Sequence, residues 1–278
     1  MDRSDASSRR SEFVEATGFG ADASRSLLDR DPGYFAAALA LARVPATSGV
    51  LDDATRAMIR LAVNVAVTHL DPAGTRRSVE IALARGVSEA QVLEVCQLTS
   101  VLGIQSCVVG LPVLAEELAA LGRADEMGPG ELDAGRQELK DRFVALRGYW
   151  SPLWDTLLKI SPAYFRAYVD FSSYPWKEGT IPPRVKELIY VAIDAATNHL
   201  FEPGIRIHVR NALNHGATAA EISEVLPIAS LMGIETMTPS GVGQPRSECT
   251  IERIAVSVAP PACQPMAQQI TPTGTPSR

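Results

Sequence analysis

Glu187, Asp194 and His208 are the residues whose types and spacing best suit proton transfer, and none has an ionisable counterpart in an earlier copy of the same pattern. Residues 13–107 align with residues 143–237 at a constant offset of 130, without a gap. Phe13-Val14 meets Phe143-Val144, Pro32-x-Tyr34-Phe35 meets Pro162-x-Tyr164-Phe165, His69-Leu70 meets His199-Leu200, and Gly103-Ile104 meets Gly233-Ile234. A repeat this regular is an architectural signature. Residues shared by both copies serve packing first, so polar residues present in one copy are the better candidates for chemistry. Ala57, Asn64, Pro72, Ser78, Arg85 and Gln105 become Glu187, Asp194, Glu202, His208, His215 and Glu235. The second copy thus gains four carboxylates and two imidazoles.

Glu187 and Asp194 are seven residues apart, nearly two helical turns, and share one helix face. If the chain reverses near Phe201-Glu202, residue 208 of the next helix returns level with about residue 194. That geometry predicts a His208–Asp194 pair, with Glu187 roughly 10 Å further along the axis. A carboxylate beside an imidazole orients the ring and favours its charged form, which suits general acid–base work near neutral pH. His199 is matched by His69, which allows either a shared turn role or a part in catalysis. Arg206, matched by Arg76 near a helix start, either holds a substrate carboxylate or makes an internal ion pair. Tyr190 is a candidate for substrate contact, and Tyr164, Tyr174 and Trp176 for pocket or core. His215, just before Gly216, reads as a helix-end cap. His199, Glu202 and His208 also form a possible metal triad around the turn.

The elements that must position these residues read as helices. Asp31-Pro32 and Ser161-Pro162 are helix starts. Met58, Ile59, Ala62, Val63 and Ala66 recur at helical spacing, as do Leu188, Ile189, Ala192 and Ile193. Ser88-x-x-Gln91 and Thr218-x-x-Glu221 are capping-box patterns, and Gly86 and Gly216 suit helix C-termini. Strand alternation is missing, so the expected class is all-α: a tandem duplication of a helical-hairpin unit. The divisions are 13–121, a degenerate N-terminal repeat; 122–142, a linker; 143–238, the active C-terminal repeat; and 239–278, a Pro/Gln/Thr-rich tail expected to be poorly ordered.

The 278 residues carry a net charge of −6 and a pI near 5.3, which gives no basic field for nucleic acid. Cys96, Cys107, Cys249 and Cys263 form no C-x-x-C pair, and the first two fall in apolar helical stretches. The N-terminus lacks a signal-peptide core, and no run of about 18 apolar residues stands out. The expectation is a cytoplasmic protein with no membrane partner.

Glu187-Leu-Ile, followed by Asn198-His199, His208-Val, Gly216-Ala-Thr and Glu221-Ile-x-Glu224-Val, resembles the carboxymuconolactone decarboxylase and alkylhydroperoxidase-D-like superfamily. The resemblance covers roughly 50–107 and 180–237 and is stronger in the second copy. It implies an all-α fold of helical hairpins that forms homo-oligomers, with sites between packed hairpins or subunits. The peroxidase-like branch uses a C-x-x-C pair; here the first cysteine position is His199 and the second has no cysteine, so the thiol nucleophile is missing. The decarboxylase-like branch uses no cofactor, and its motif histidine maps to His208; Glu187 and His208 are the residues that the resemblance carries over. Three readings follow: a cofactor-independent acid–base enzyme acting on a small oxygenated acid, a metal-dependent enzyme using His199, Glu202 and His208, or a non-catalytic helical oligomeric binding protein.

Overall fold

The computed structural model describes residues 3–18 and 20–237, and these are helix or turn throughout, with no strand among them. The N-terminal half contains α1 (Arg3–Thr17), α2 (Ala21–Arg30), α3 (Pro32–Thr47), α4 (Asp53–Val65), α5 (Pro72–Ala84), α6 (Glu89–Ser100) and α7 (Gln105–Ala120). The C-terminal half contains α8 (Ala134–Arg147), α9 (Asp155–Ile160), α10 (Pro162–Glu178), α11 (Pro183–Ala195), α12 (Glu202–Asn214) and α13 (Ala219–Ser230). Short 3₁₀ segments follow α6 (Val101–Ile104) and α13 (Leu231–Met237). The expected tail, with Cys249 and Cys263, lies outside the described residues. Helix α8 begins at Ala134, inside the segment read as linker, because the Asp133 side chain accepts from Arg136 N and starts a helix there.

Local chemistry sets the helix ends. Asp52 accepts from Thr55 N at 2.7 Å to open α4, and Asp71 accepts from Ala73 N and Gly74 N to open α5. Both capping boxes form, at Ser88/Gln91 and Thr218/Glu221. Gly86 and Gly216 adopt φ of +83° and +85°, the left-handed conformation glycine takes without a Cβ penalty.

The two halves interlock. Helix α4 packs on its counterpart α11; α6 of the first half packs on α11, and α13 of the second half packs on α4. That exchange is what a local two-fold relating the repeats produces. The central core is shared, with Ile59, Leu61, Val95 and Leu98 against Leu188, Ile189, Val191 and Val225. Each outer core borrows from the opposite half: Leu231 and Ile234 join Phe13, Leu28 and Phe35, while Ile104 and Val108 join Phe143, Leu158 and Phe165. Burying this apolar surface drives the assembly, at about 25 cal/mol per Å².

A buried ion pair pins the interlock. Lys186 Nζ lies 2.9 Å from Glu94 Oε1, both side chains almost wholly buried, and donates to Pro175 O at 2.6 Å. Glu94 also accepts from Thr180 N and Ile181 N. The two-fold counterpart is the looser Arg56–Glu224 pair at 3.6 Å.

The continuous helical run Glu89–Ala120 is long and apolar enough, by length and composition, to cross a membrane, which the sequence reading did not anticipate. Its first part, α6, buries Val95 and Leu98 and carries the Glu94 ion pair into the protein core, while α7 leaves Val109, Val113 and Leu114 exposed. Cys96 and Cys107 are half-buried and form no disulfide among the described residues, and burial pushes the Cys96 thiol up, away from the thiolate form.

Candidate active site

Helix α11 is buried on every side from Val185 to Asp194, so each polar residue on it requires a partner. Glu187, Tyr190 and Asp194 fall at i, i+3 and i+7 and form one polar stripe on that helix. Helix α12 runs antiparallel across this stripe. Its close approach depends on Gly204, where a Cβ would overlap both Asp194 Oδ2 and the Phe201 ring. Gly74 occupies the same position against Asp71 and Asn64 in the first half.

The hairpin register differs from the sequence expectation. Phe201 N donates to Asp194 O at 2.9 Å, so residue 201 is level with residue 194. Counting seven residues along both antiparallel helices then brings His208 level with Glu187. His208 Nδ1 lies 2.6 Å from Glu187 Oε2, whereas its Nε2 lies 3.9 Å from Asp194 Oδ2. Asn211 Nδ2 donates to Glu187 Oε1 at 3.3 Å. The closer partner is therefore Glu187, because the six-residue turn delays the start of α12. Within that turn Leu200, like Leu70 in the first half, adopts a positive φ, +49° and +45° respectively, uncommon for a branched side chain.

These side chains face a cavity of about 70 Å³, room for several waters or part of a small organic molecule. Tyr190 stacks near His208 with ring centroids 4.5 Å apart, and its hydroxyl accepts from Trp176 Nε1 at 3.3 Å. Arg147 also lines the cavity, donating to Ser172 O at 2.6 Å while its guanidinium sits 5.0 Å from the Trp176 ring centroid. From the N-terminal half comes Gln105, whose Nε2 donates to Asp194 Oδ1 at 2.8 Å. The site is thus built by both halves.

Burial dominates the electrostatics. It raises the Asp194 carboxyl above its ordinary range, against the opposing pull of His208, the Gln105 hydrogen bond and His199. Burial likewise raises Tyr190 and Tyr149, keeping both as neutral phenols that can donate a proton in a hydrogen bond. His199 Nε2 lies 3.8 Å from Asp194 Oδ1, and neither that nitrogen nor Gln105 Oε1 has a hydrogen-bond partner among the described residues. Two buried polar atoms therefore converge near Asp194.

Other candidates lie elsewhere. Glu202 and Arg206 pair with each other on the surface, one turn apart, so Arg206 does not line this cavity. The His199, Glu202 and His208 triad does not converge, since Glu202 turns outward to Arg206. Glu235, counted among the second copy's gains, crosses to the first half and meets His69. His215 caps the end of α12, as read. Trp176 and Tyr190 face the cavity, while Tyr164 and Tyr174 are exposed. Arg147 escaped the sequence reading although the signal was present: Thr17 stands at its place in the first copy.

In the first half the equivalent chemistry is gone. Ala57 and Ser78 replace the Glu–His pair, and Asn64 Nδ2 donates to Ser78 Oγ at 2.8 Å. Arg60, at the place of Tyr190, reaches across to Glu15 O and Ala16 O at the end of α1 and packs against Gly18.

Fold and site together define a tandem-repeat helical-hairpin protein that encloses a Glu–His–Asp cluster between its halves. Residues 162–235 match the model of the carboxymuconolactone decarboxylase family. A crystal structure of a putative gamma-carboxymuconolactone decarboxylase subunit from Burkholderia xenovorans LB400 is similar over 91% of this chain and 97% of that one, at 40% identity and a TM-score of 0.81. A comparison with curated proteins finds no match. This chain belongs to the carboxymuconolactone decarboxylase family.

Proposed function

We propose that the chain is a cofactor-independent acid–base enzyme that decarboxylates a small oxygenated acid of the carboxymuconolactone type. The observation that carries this reading is the Glu187–His208 pair at 2.6 Å, enclosed with Asp194 in a cavity whose lining includes Arg147. Glu187 accepts from Nδ1–H and directs His208 Nε2 toward the cavity and Asp194. As the substrate's C–C bond breaks, its electron pair passes into the substrate's own conjugated carbonyl and carbon dioxide leaves. Protonated His208 then delivers its Nε2 proton to the carbon, with Glu187 stabilising the imidazolium until that transfer. Asp194, held toward its neutral form, and Tyr190 supply hydrogen bonds to the developing oxyanion. Arg147 holds a second acidic group that remains on the product. Ring opening of a lactone uses the same groups and is the neighbouring reaction on this site.

Homo-oligomerisation is part of the proposal. Tyr34, Leu41 and Val44 on α3 and Tyr164, Phe171 and Tyr174 on α10 are exposed at matching positions. Both repeats thus keep an apolar stripe at equivalent places, which suits self-association.

The test is carbon dioxide release from γ-carboxymuconolactone by the purified full chain. His208→Ala is expected to lower turnover by about 10²–10⁴-fold while the chain stays folded by circular dichroism; a His208→Ala variant that retains the wild-type rate overturns the reading.

A further inference from the structure

The local two-fold that builds the Glu187–His208 cavity creates a second convergence, in the N-terminal half. The turn before α5 carries His69 and Asp71, and Glu235 arrives over it from the 3₁₀ segment of the opposite half, as Gln105 arrives over Asp194. At the equivalent places around the C-terminal turn stand His199 and Phe201, with Gln105 reaching over from the N-terminal half. Two carboxylates around the shared imidazole are therefore particular to this side.

The geometry is that of a ligand set. His69 Nε2 lies 2.6 Å from Glu235 Oε2, and one donor atom from each of His69, Asp71 and Glu235 lies within 4.8 Å of the others. His69 Nε2 is buried where it meets the Glu235 carboxylate. Asp71 accepts one backbone N–H on each oxygen to cap α5, which leaves each oxygen a further lone pair. Arg77 stands 4.0 Å from Asp71 and supplies one positive charge against two carboxylates, so with a neutral imidazole the cluster is net negative. One imidazole nitrogen with two carboxylate oxygens suits zinc and its first-row neighbours better than calcium or magnesium, which take all-oxygen shells.

We propose that His69, Asp71 and Glu235 bind one divalent transition-metal ion that ties the two halves of the chain together, separately from the Glu187–His208 site. The His69–Glu235 contact opens slightly on binding, since ligands about 2.0–2.2 Å from a tetrahedral metal stand more than 3 Å apart. An ion bound only by the folded chain raises its stability by RT ln(1 + [L]/Kd), where [L] is the free ion.

The experiment uses the full chain without an affinity tag, stripped with chelator and titrated calorimetrically with zinc chloride, with metal counted after gel filtration. One equivalent per chain and a raised Tm are expected. Glu235→Gln, which installs the residue type that the opposite half carries at Gln105, and His69→Ala are each expected to remove that uptake. His208→Ala, which alters the other histidine cluster, is expected to retain it. Circular dichroism establishes that each variant is folded, and Glu235→Gln keeps the side-chain volume. Absence of stoichiometric zinc in the wild type overturns the proposal, as does uptake that survives both substitutions or is lost in His208→Ala instead.

Discussion

Replacing Glu187 by Gln exchanges one oxygen for one amide nitrogen at almost constant volume, so its effect reports charge and hydrogen-bond direction rather than packing. In the native site Oε2 faces His208 Nδ1 at 2.6 Å and Oε1 accepts from Asn211 Nδ2 at 3.3 Å. A carboxylate accepts from both neighbours; an amide has one oxygen. With that oxygen turned to His208, the ring keeps its tautomer but loses the ionic partner, and two amide nitrogens face each other unless Asn211 flips. With the nitrogen turned to His208, the ring presents a lone pair at Nδ1 and carries its proton on Nε2. A charge-assisted hydrogen bond contributes about 1.5–3 kcal/mol and a neutral one about 0.5–1.5 kcal/mol. The imidazolium therefore loses about 1–2 kcal/mol, which disfavours the protonated ring that the reaction starts from by roughly 5–30-fold. Removing the acid–base group altogether in His208→Ala costs more, about 10²–10⁴-fold. The assay is kcat for carbon dioxide release, paired with nitrogen-15 spectra of His208 that report which ring nitrogen carries the proton. Wild-type kcat together with an unchanged ring spectrum in Glu187→Gln would refute the argument that Glu187 sets the state of His208.

Burial holds the Asp194 carboxyl above its ordinary value of 3.8, so as pH rises the unfolded chain loses this proton first, and the group's contribution to stability falls until the folded form ionises as well. The stability of Asp194→Asn relative to wild type should therefore increase between pH 4 and pH 7 in urea titrations; a constant difference contradicts the assignment. Lys186→Met strands the buried Glu94 carboxylate with two backbone N–H partners and should cost about 3–5 kcal/mol, with part recovered by adding Glu94→Gln. A loss below about 1 kcal/mol would mean the pair does not pin the halves, since that is the scale of an exposed pair. Gly204→Ala drives a Cβ into Asp194 and Phe201 and should cost about 1–3 kcal/mol along with turnover. Adding Asp194→Ala should restore stability but not activity, and wild-type stability in Gly204→Ala alone rules out the close contact.

The all-α class, the capping boxes and the hairpin arrangement were legible because they depend on local chemistry repeated at a fixed offset. Glu187 and Asp194 were legible as one face because helical periodicity fixes their relation. The His208 partner was misread because it depends on where α12 begins, and the hydrogen bond from Phe201 N to Asp194 O shifts the mirror point of the hairpin by several residues. Arg147 reaches the cavity from α8, 40 residues before Glu187, so only tertiary packing brings it there. Glu235 belongs to the second copy in sequence, whereas the exchanged 3₁₀ segment delivers it to the first half.

That exchange explains how two copies could diverge without losing the fold. Each hairpin supplies the imidazole of its own turn, but the residue above it belongs to the opposite half: Gln105 over Asp194, Glu235 over His69. A substitution at 105 therefore tunes the C-terminal site, and one at 235 tunes the N-terminal site, while the central α4–α11 packing is untouched. In the first half, once Ala57 and Ser78 stand where Glu187 and His208 stand, Arg60 extends across to α1 and takes two backbone carbonyls. Burial, with the nearby charges of Arg56 and Arg85, lowers its guanidinium pKa to about 10, still charged at neutral pH. A charged side chain occupying the Tyr190 position prevents that half from re-forming the neutral phenol beside an imidazole. Restoring Glu and His at 57 and 78 alone should consequently leave the N-terminal half without decarboxylase activity, and only a variant that also replaces Arg60 with Tyr tests whether the scaffold can carry two equivalent acid–base sites.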